Sequence, residues 1–304
     1  MSDLIIRPIE AGEVDLFDSL PDQGLVGFAQ SGDTFPAMAA RGEYRPEWCW
    51  IALRDGVVVA RAAWWGAEAD TEPIALDWFD FTDAAAAVQL LRTAPVRTEY
   101  CLKLPPEWRA DVAANAAATA RLDAMAAAGF TPLVERYRYR WTPECGLPPR
   151  SDRLRYRAEP DDDVILDVFR RINDGSLDAH VRRTIERSGL AASAQEELDY
   201  LRWMPSPREW WRLADTPDGD LVGLTVPCTN YHDPIIGYIG VVPEHRGNGY
   251  AYDLLAEATH LLAAEGVDRI IASTDMTNFP MAATFARAGY PIVQYRIDLA
   301  DDES

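Results

Sequence analysis

The segment Arg246-Gly-Asn-Gly249 lies where an apolar strand, Ile235 to Val242, gives way to a helix opening near Tyr250. Backbone N–H groups in the first turn of a helix have no partner inside it, and the positive end of the helix dipole lies behind them. Glycines in such a loop let an anion approach the backbone closely. The chemistry on offer is a grip on a phosphate group. Gly247, Asn248, Gly249, Tyr250 and Ala251 would form that grip, and Arg246 would add charge or brace the loop.

Groups able to move protons lie close by in sequence. The turn Asn230-Tyr-His-Asp233 precedes the strand and brings His232 and Asp233 toward its start. Tyr238 lies within the strand, and Asp275 closes the next one. Each has a structural alternative: a solvated turn residue for His232, a packed aromatic for Tyr238, a helix cap for Asp275. His180, His245 and His260 fall on helix or loop surfaces and are given no role.

The elements around the loop are legible from periodicity. Ala251, Leu254, Leu255, Ala258, Leu261 and Leu262 repeat at i, i+3, i+4 and i+7, so one helical stripe packs on a sheet while Asp253 and Glu257 face outward. Gly266 ends the helix, and Asp268-Arg-Ile-Ile-Ala-Ser273 reads as the following strand. The loop therefore sits in a strand–loop–helix–strand unit, where anion sites form. The P-loop pattern is absent, and the single lysine, Lys103, lies in the other half of the chain. The dinucleotide pattern G-x-G-x-x-G is also absent.

The chain repeats itself. Ala128-Gly-Phe-Thr-Pro-Leu-Val-Glu-Arg-Tyr-Arg138 resembles Ala288-Gly-Tyr-Pro-Ile-Val-Gln-Tyr-Arg296, and each follows an alanine-rich helix. Trp48 to Val59 resembles Trp210 to Val222, each a hairpin turning through Asp-Gly. The Pro-rich stretch Thr142 to Arg150 lies between the copies as a linker. Two α/β domains follow, 1–147 and 152–304. Only the second has the phosphate loop. In the first, the matching strand Pro73 to Phe81 runs into Thr82-Asp-Ala-Ala, with no glycine or arginine, and Asp80 and Asp83 would repel a phosphate.

Composition bounds the function. At 304 residues the chain is long enough for two cores, and 48% hydrophobic content fits a folded protein. No apolar run approaches the ~20 residues a membrane span needs, and no secretory leader is visible, so a cytoplasmic location is expected. Cys49, Cys101, Cys145 and Cys228 are scattered, which leaves neither a metal site nor a disulfide framework. A net charge of −20 disfavours nucleic acid and anionic membranes as partners. An acidic surface accounts for that charge more simply than a cationic substrate does.

The second half resembles the GNAT superfamily of acyl-CoA-dependent N-acyltransferases. The signature [Q/R]-x-x-G-x-[G/A] is met by Arg246, Gly249 and Ala251. The likeness extends back through Val241-Val-Pro243 and forward through Asn278-Phe-Pro-Met-Ala-Ala-Thr-Phe-Ala-Arg-Ala-Gly-Tyr290. It implies two tandem GNAT-like domains, the N-terminal one degenerate. Each would have a central, mostly antiparallel mixed sheet flanked by helices, and the family's fourth and fifth strands would splay in the C-terminal copy. It implies acetyl-CoA as cosubstrate with no metal, Gly240, Val241 and Val242 pairing with the pantetheine arm, the pyrophosphate on residues 246–251, and Asn278 near the cofactor. The reaction implied is direct transfer of an acetyl group to a primary amine of a small molecule. The family's proton donor falls at Phe285, which cannot donate and would instead shape the acyl pocket. That departure keeps alive a non-catalytic acyl-CoA-binding protein, as well as acylation of a hydroxyl or thiol, or malonyl-CoA decarboxylation. The variable substrate region, Asp174 to Pro207, supplies aromatics (with Trp210 and Trp211 beyond it, and Tyr200 and Trp203 within) that would form an acceptor wall or core.

Overall fold

The computed structural model describes residues 3–301. The chain forms two compact units, residues 1–135 with 294–304, and residues 136–293.

The first unit contains β1 (Leu4–Pro8), α1 (Val14–Asp18), α2 (Phe35–Ala40), β2 (Cys49–Arg54), β3 (Val57–Trp65), β4 (Ala75–Phe81), α3 (Ala84–Thr93), β5 (Tyr100–Leu104) and α4 (Val112–Ala127). β6 (Phe130–Trp141) passes from the first unit into the second. The second unit then adds β7 (Arg155–Arg157), α5 (Asp162–Asn173), α6 (Ala179–Ser188), α7 (Leu190–Trp203), β8 (Arg212–Asp215), β9 (Leu221–Thr229), β10 (Pro234–Val241), α8 (Tyr250–Ala264), β11 (Ile270–Asp275) and α9 (Phe279–Arg287). β12 (Ile292–Asp301) returns to the first unit from Gln294 onward.

Strand pairing sets these boundaries. In the first unit the order is β1-β2-β3-β4-β5-β12, and in the second β6-β11-β10-β9-β8-β7. Both are mixed sheets, antiparallel except for β4 with β5 and β10 with β11. The division expected at the Pro-rich stretch leaves β6 with the first copy and β12 with the second. The hydrogen bonds run otherwise. Residues Arg136 to Trp141 pair with β11, and Tyr295 to Leu299 pair with β5. Each copy's last strand thus completes the sheet of the other unit, a pairing set by long-range register that local periodicity does not encode.

In the second unit, α5 and α7 bury Ile165, Val168, Phe169, Ile172, Leu198 and Leu201 against one face of the sheet. α8 and α9 cover the other face with Leu254, Leu255, Leu262 and Phe285. Leu254, Leu255 and Leu262 are fully buried, each worth roughly 1.5–3 kcal/mol relative to exposure. That packing fixes the start of α8 against the end of β10. No helix among the described residues is long and apolar enough to cross a membrane.

Candidate active site

The loop after β10 has the form of an anion cradle. Gly247 and Gly249 adopt φ of +82° and +74°, left-handed conformations that a side chain strains. α8 begins at Gly249 with no side-chain cap, whereas α3, α4, α5, α6 and α9 are capped by Asp83, Asp111, Asp161, Asp178 and Asn278. Arg246 takes the bracing role. Its guanidinium donates to the carbonyls of Ile172 at 2.6 Å, Val241 at 3.1 Å and Gly175 at 3.4 Å, tying the end of α5 to the end of β10. Asp253 does not face outward as its helical position suggests. It is buried, accepts from Ser151 Oγ at 2.7 Å and pairs with Arg153, which also donates to the carbonyl of Asn248 at 3.0 Å. Those partners, from the segment just before β7, offset the cost of burying the carboxylate.

Beside the cradle the sheet opens. β10 and β11 run parallel and meet at Ile235 and Ile271, while β10 continues to Val241 paired only with β9. Its other edge is therefore available for main-chain pairing past that point. α5 lies directly on this stretch, so closely that a Cβ at Gly240 would collide with Ile172. The Val242 side chain is fully buried, and its N–H donates to the carbonyl of Val222 at 2.9 Å at the strand end. The first unit has the same parallel arrangement, β4 meeting β5 at Leu76 and Tyr100. There, however, Gly27 donates to the carbonyl of Lys103 at 2.8 Å, and the start of α3 is filled by its own Asp83 carboxylate, which also pairs with Arg54.

The candidate proton-moving residues fall in different places. Tyr238 lies just past a bulge in β10, half-buried and edge-on to Phe169. Its hydroxyl donates to Asn173 Oδ1 at 3.2 Å, and Asn173 Nδ2 donates to Ser193 Oγ at 2.9 Å. Burial, then the charges of Glu197 and Asp178, raise the phenol well above its ordinary value and keep it protonated. Asp275 is buried at the end of β11, accepts from the N–H of Ala179 at 2.7 Å and faces Arg136 Nε at 3.1 Å. Arg136 also holds Asp178 at 3.0 Å, so Asp275 docks the start of α6 onto the sheet. His232 and Asp233 precede the other end of β10. Asp233 is held there by Arg269 at 2.7 Å and Arg138 at 3.4 Å. Tyr238 lies five residue steps further along the strand, about 16 Å away.

Asn278 caps α9, its side chain accepting from the N–H of Met281 at 3.2 Å. Phe285 is 2% exposed, stacked on Tyr139 at 4.3 Å between centroids and tilted against Tyr290. With both partners around it, the ring belongs to the core beneath α8 and α9. Phe285→Ala is expected to lower stability by about 3–5 kcal/mol. A denaturant titration checks this, and a change below about 1 kcal/mol would contradict the packing role.

The aromatics of the variable region divide. Trp211 is buried in the core under α5 and α7, and Trp210 packs on the α8 side. Tyr200, Trp203 and Tyr231 form a row, with centroids 6.0 and 4.9 Å apart, along α7 and the turn before β10. One group escaped the sequence reading altogether. Glu197 on α7 is half-buried and in electrostatic range of Asp178, Arg136 and His180. Burial first, and then the charges of Asp178 and Glu196, push its carboxyl up to about 7. A Glu-Glu pair on an amphipathic helix reads as solvated surface, and only the packing of α7 reveals otherwise.

Comparison with known proteins bears on this geometry. Residues 179–290 match the profile of the Acetyltransferase (GNAT) family. No curated protein matches the chain in sequence. Among solved structures, a GCN5-related N-acetyltransferase from Sphaerobacter thermophilus superposes with a TM-score of 0.57 at 15% identity, covering 97% of this chain and 94% of that one. A tandem GNAT protein from the clavulanic acid biosynthesis pathway gives 0.53 at 16% identity, covering 98% of each chain. A glucosamine N-acetyltransferase region of a fungal multi-domain β-N-acetylglucosaminidase gives 0.54 at 12% identity, over 98% of this chain and 38% of that one. At these identities the likeness is one of fold, and the fold is that of tandem proteins of this type over nearly the whole chain.

Proposed function

Because the second half of the chain carries a domain of the acetyltransferase (GNAT) family, we propose that the protein transfers an acetyl group from acetyl-CoA to a primary amine of a small molecule. The observation that carries this reading is the uncapped, glycine-flanked start of α8 beside the open edge of β10. Backbone N–H groups of residues 247–251 would hold the pyrophosphate, and the edge from Tyr238 to Val241 would pair with the pantetheine arm. Bound acetyl-CoA supplies an activated thioester, and the chain's part is to position an amine against it. A β10 backbone N–H would steady the developing oxyanion. Tyr238, kept protonated and hydrogen-bonded to Asn173, orients neighbouring groups and is a poor base. Glucosamine, the amine named for the fungal structure, supports the acceptor class. The four cysteines are unbridged and two are buried, which supports a cytoplasmic setting.

A second reading, a non-catalytic acyl-CoA-binding protein, is favoured by Phe285 at the family's proton-donor position. Thiolate is a good leaving group with a pKa near ~8.5, so the missing donor does not forbid turnover. Calorimetry with acetyl-CoA is expected to give a stoichiometry of one per chain, since Asp83 fills the corresponding helix start in the first unit. Thiol release with a panel of primary amines then separates the readings. Binding without release for any amine would favour the sensor, and two equivalent sites per chain would refute the asymmetry.

A further inference from the structure

The acceptor side of the opening holds several ionisable groups, and most are committed. Asp275 docks α6 and Asp178 caps it, Arg136 holding both. Asp233 is held by two arginines at the far end of β10. Tyr238 donates to Asn173. Glu197 stands apart: among the described residues no hydrogen bond or ion pair engages its carboxylate.

Its position follows from helix geometry. On α7, residues four apart lie on one face. Ser193, one turn before Glu197, accepts from Asn173, the residue that Tyr238 holds. Leu201, one turn after, reaches over Gly237 of β10, with Cδ2 3.2 Å from where a Cβ there would stand. Glu197 lies between these two contacts, so its carboxylate faces β10 near Tyr238, just past the point where β10 and β11 part. The charged and titratable groups facing it are Asp178 and His180 from α6, Arg136 from β6, Tyr238 from β10 and Glu196 from its own helix. α5 presents the neutral Asn173 and Phe169 there. A half-buried carboxylate on the sheet-facing side of α7, with its oxygens open to solvent and so to a ligand, is placed for a role in binding or reaction.

Resting on the transferase reading, we propose that Glu197 is the group that binds the acceptor as an ammonium ion and removes its proton, so that the acceptor class is a cationic primary alkylamine. In the balanced step, Glu197 takes one proton from R–NH3+, and the freed nitrogen pair forms the C–N bond at the thioester carbonyl carbon. The C–S bond breaks, with its electrons leaving on the CoA thiolate. The nitrogen then sheds its second proton, which the thiolate or solvent takes up, and the products are the amide and CoA. The raised carboxyl supports this role, because a base ionising near 7 is matched to neutral solution.

Wild type, Glu197→Gln and Glu197→Asp are compared at saturating acetyl-CoA, with alkylamines that are protonated at neutral pH and with weakly basic arylamines that arrive neutral. Wild-type kcat/KM for alkylamines is expected to fall with one proton as pH drops through about 7. Glu197→Gln is expected to lose ~10²-fold or more in alkylamine turnover, to lose that pH limb, and to keep acetyl-CoA affinity within two-fold. Arylamine turnover should suffer far less, and Glu197→Asp should recover part of the loss. Folding controls this comparison. The native carboxyl titrates above its unfolded value, so ionisation costs stability as pH rises from about 4.5 through about 7. Glu197→Gln removes that cost and should melt no lower than wild type above neutrality. Equal alkylamine rates and pH profiles in wild type and Glu197→Gln would overturn this assignment alone. Binding of acetyl-CoA by a wild type that acylates no amine would overturn the transferase reading, and this assignment with it.

Discussion

Gly249→Val is expected to weaken CoA binding by at least ~10²-fold, about 3 kcal/mol, while leaving the chain folded. Gly249 begins α8 with φ of +74°, a region that β-branched residues occupy only under strain. A Cβ there meets nothing closer than Arg153 Nη2 at 3.9 Å, so the unliganded protein has room for it. The damage falls on function. Valine drives the backbone out of the left-handed region and turns the first N–H groups of α8 away from their common focus, and its methyls also stand where a phosphate would approach. Calorimetric titration with CoA gives the affinity, and a thermal melt confirms the fold. Gly249→Ala, with one methyl and no β-branch, should fall between the two. Unchanged affinity in Gly249→Val would mean that the anion site is not at this helix.

Ending the chain after Val293 is expected to abolish cooperative folding of the first unit. Residues from Tyr295 to Leu299 pair with β5 along its length, and Ile297 and Leu299 are buried in the same core as Leu76, Tyr100 and Leu102. Asp301 also pairs with Arg97. Losing two buried aliphatic side chains costs roughly 2–5 kcal/mol each, and the β5 ladder is lost with them. Such a sum is comparable to the whole stability of a domain, about 5–15 kcal/mol. The reciprocal cut is equally informative. A chain of residues 152–304 lacks Arg136 to Trp141, and with them the ladder to β11 and the arginine that holds Asp178 and Asp275. Neither piece alone should give the sharp thermal transition or near-ultraviolet circular dichroism of the full chain. Co-expression of the pieces on either side of the linker should restore both. A well-folded 152–304 fragment that binds CoA would refute this interdependence.

The sequence determined much of the second unit by itself, because local patterns encode local structure. The alternation from strand to glycine loop to amphipathic helix placed the end of β10, the loop and the start of α8, and the Asp-Gly turns placed the hairpins. The contrast between Gly247 and Gly249 in one copy and Asp83 in the other was legible as charge and backbone freedom, and in the structure Asp83 does fill its own helix start. What escaped was settled by contacts distant in the chain. Asp253 is buried because Ser151 and Arg153 reach it from about a hundred residues away. Of the two roles the sequence offered Arg246, bracing was selected by the position of α5, which no spacing near Arg246 reports. Glu197 faces the sheet because Ser193 and Leu201 already do, and two adjacent glutamates on a polar helix give no hint of it. The exchange of β6 and β12 was hidden most completely. Both strands follow an alanine-rich helix and a Gly-aromatic step, and the two copies are alike in sequence there. Which sheet each strand joins is a choice between near-equal local partners, and the packing of the whole chain makes it.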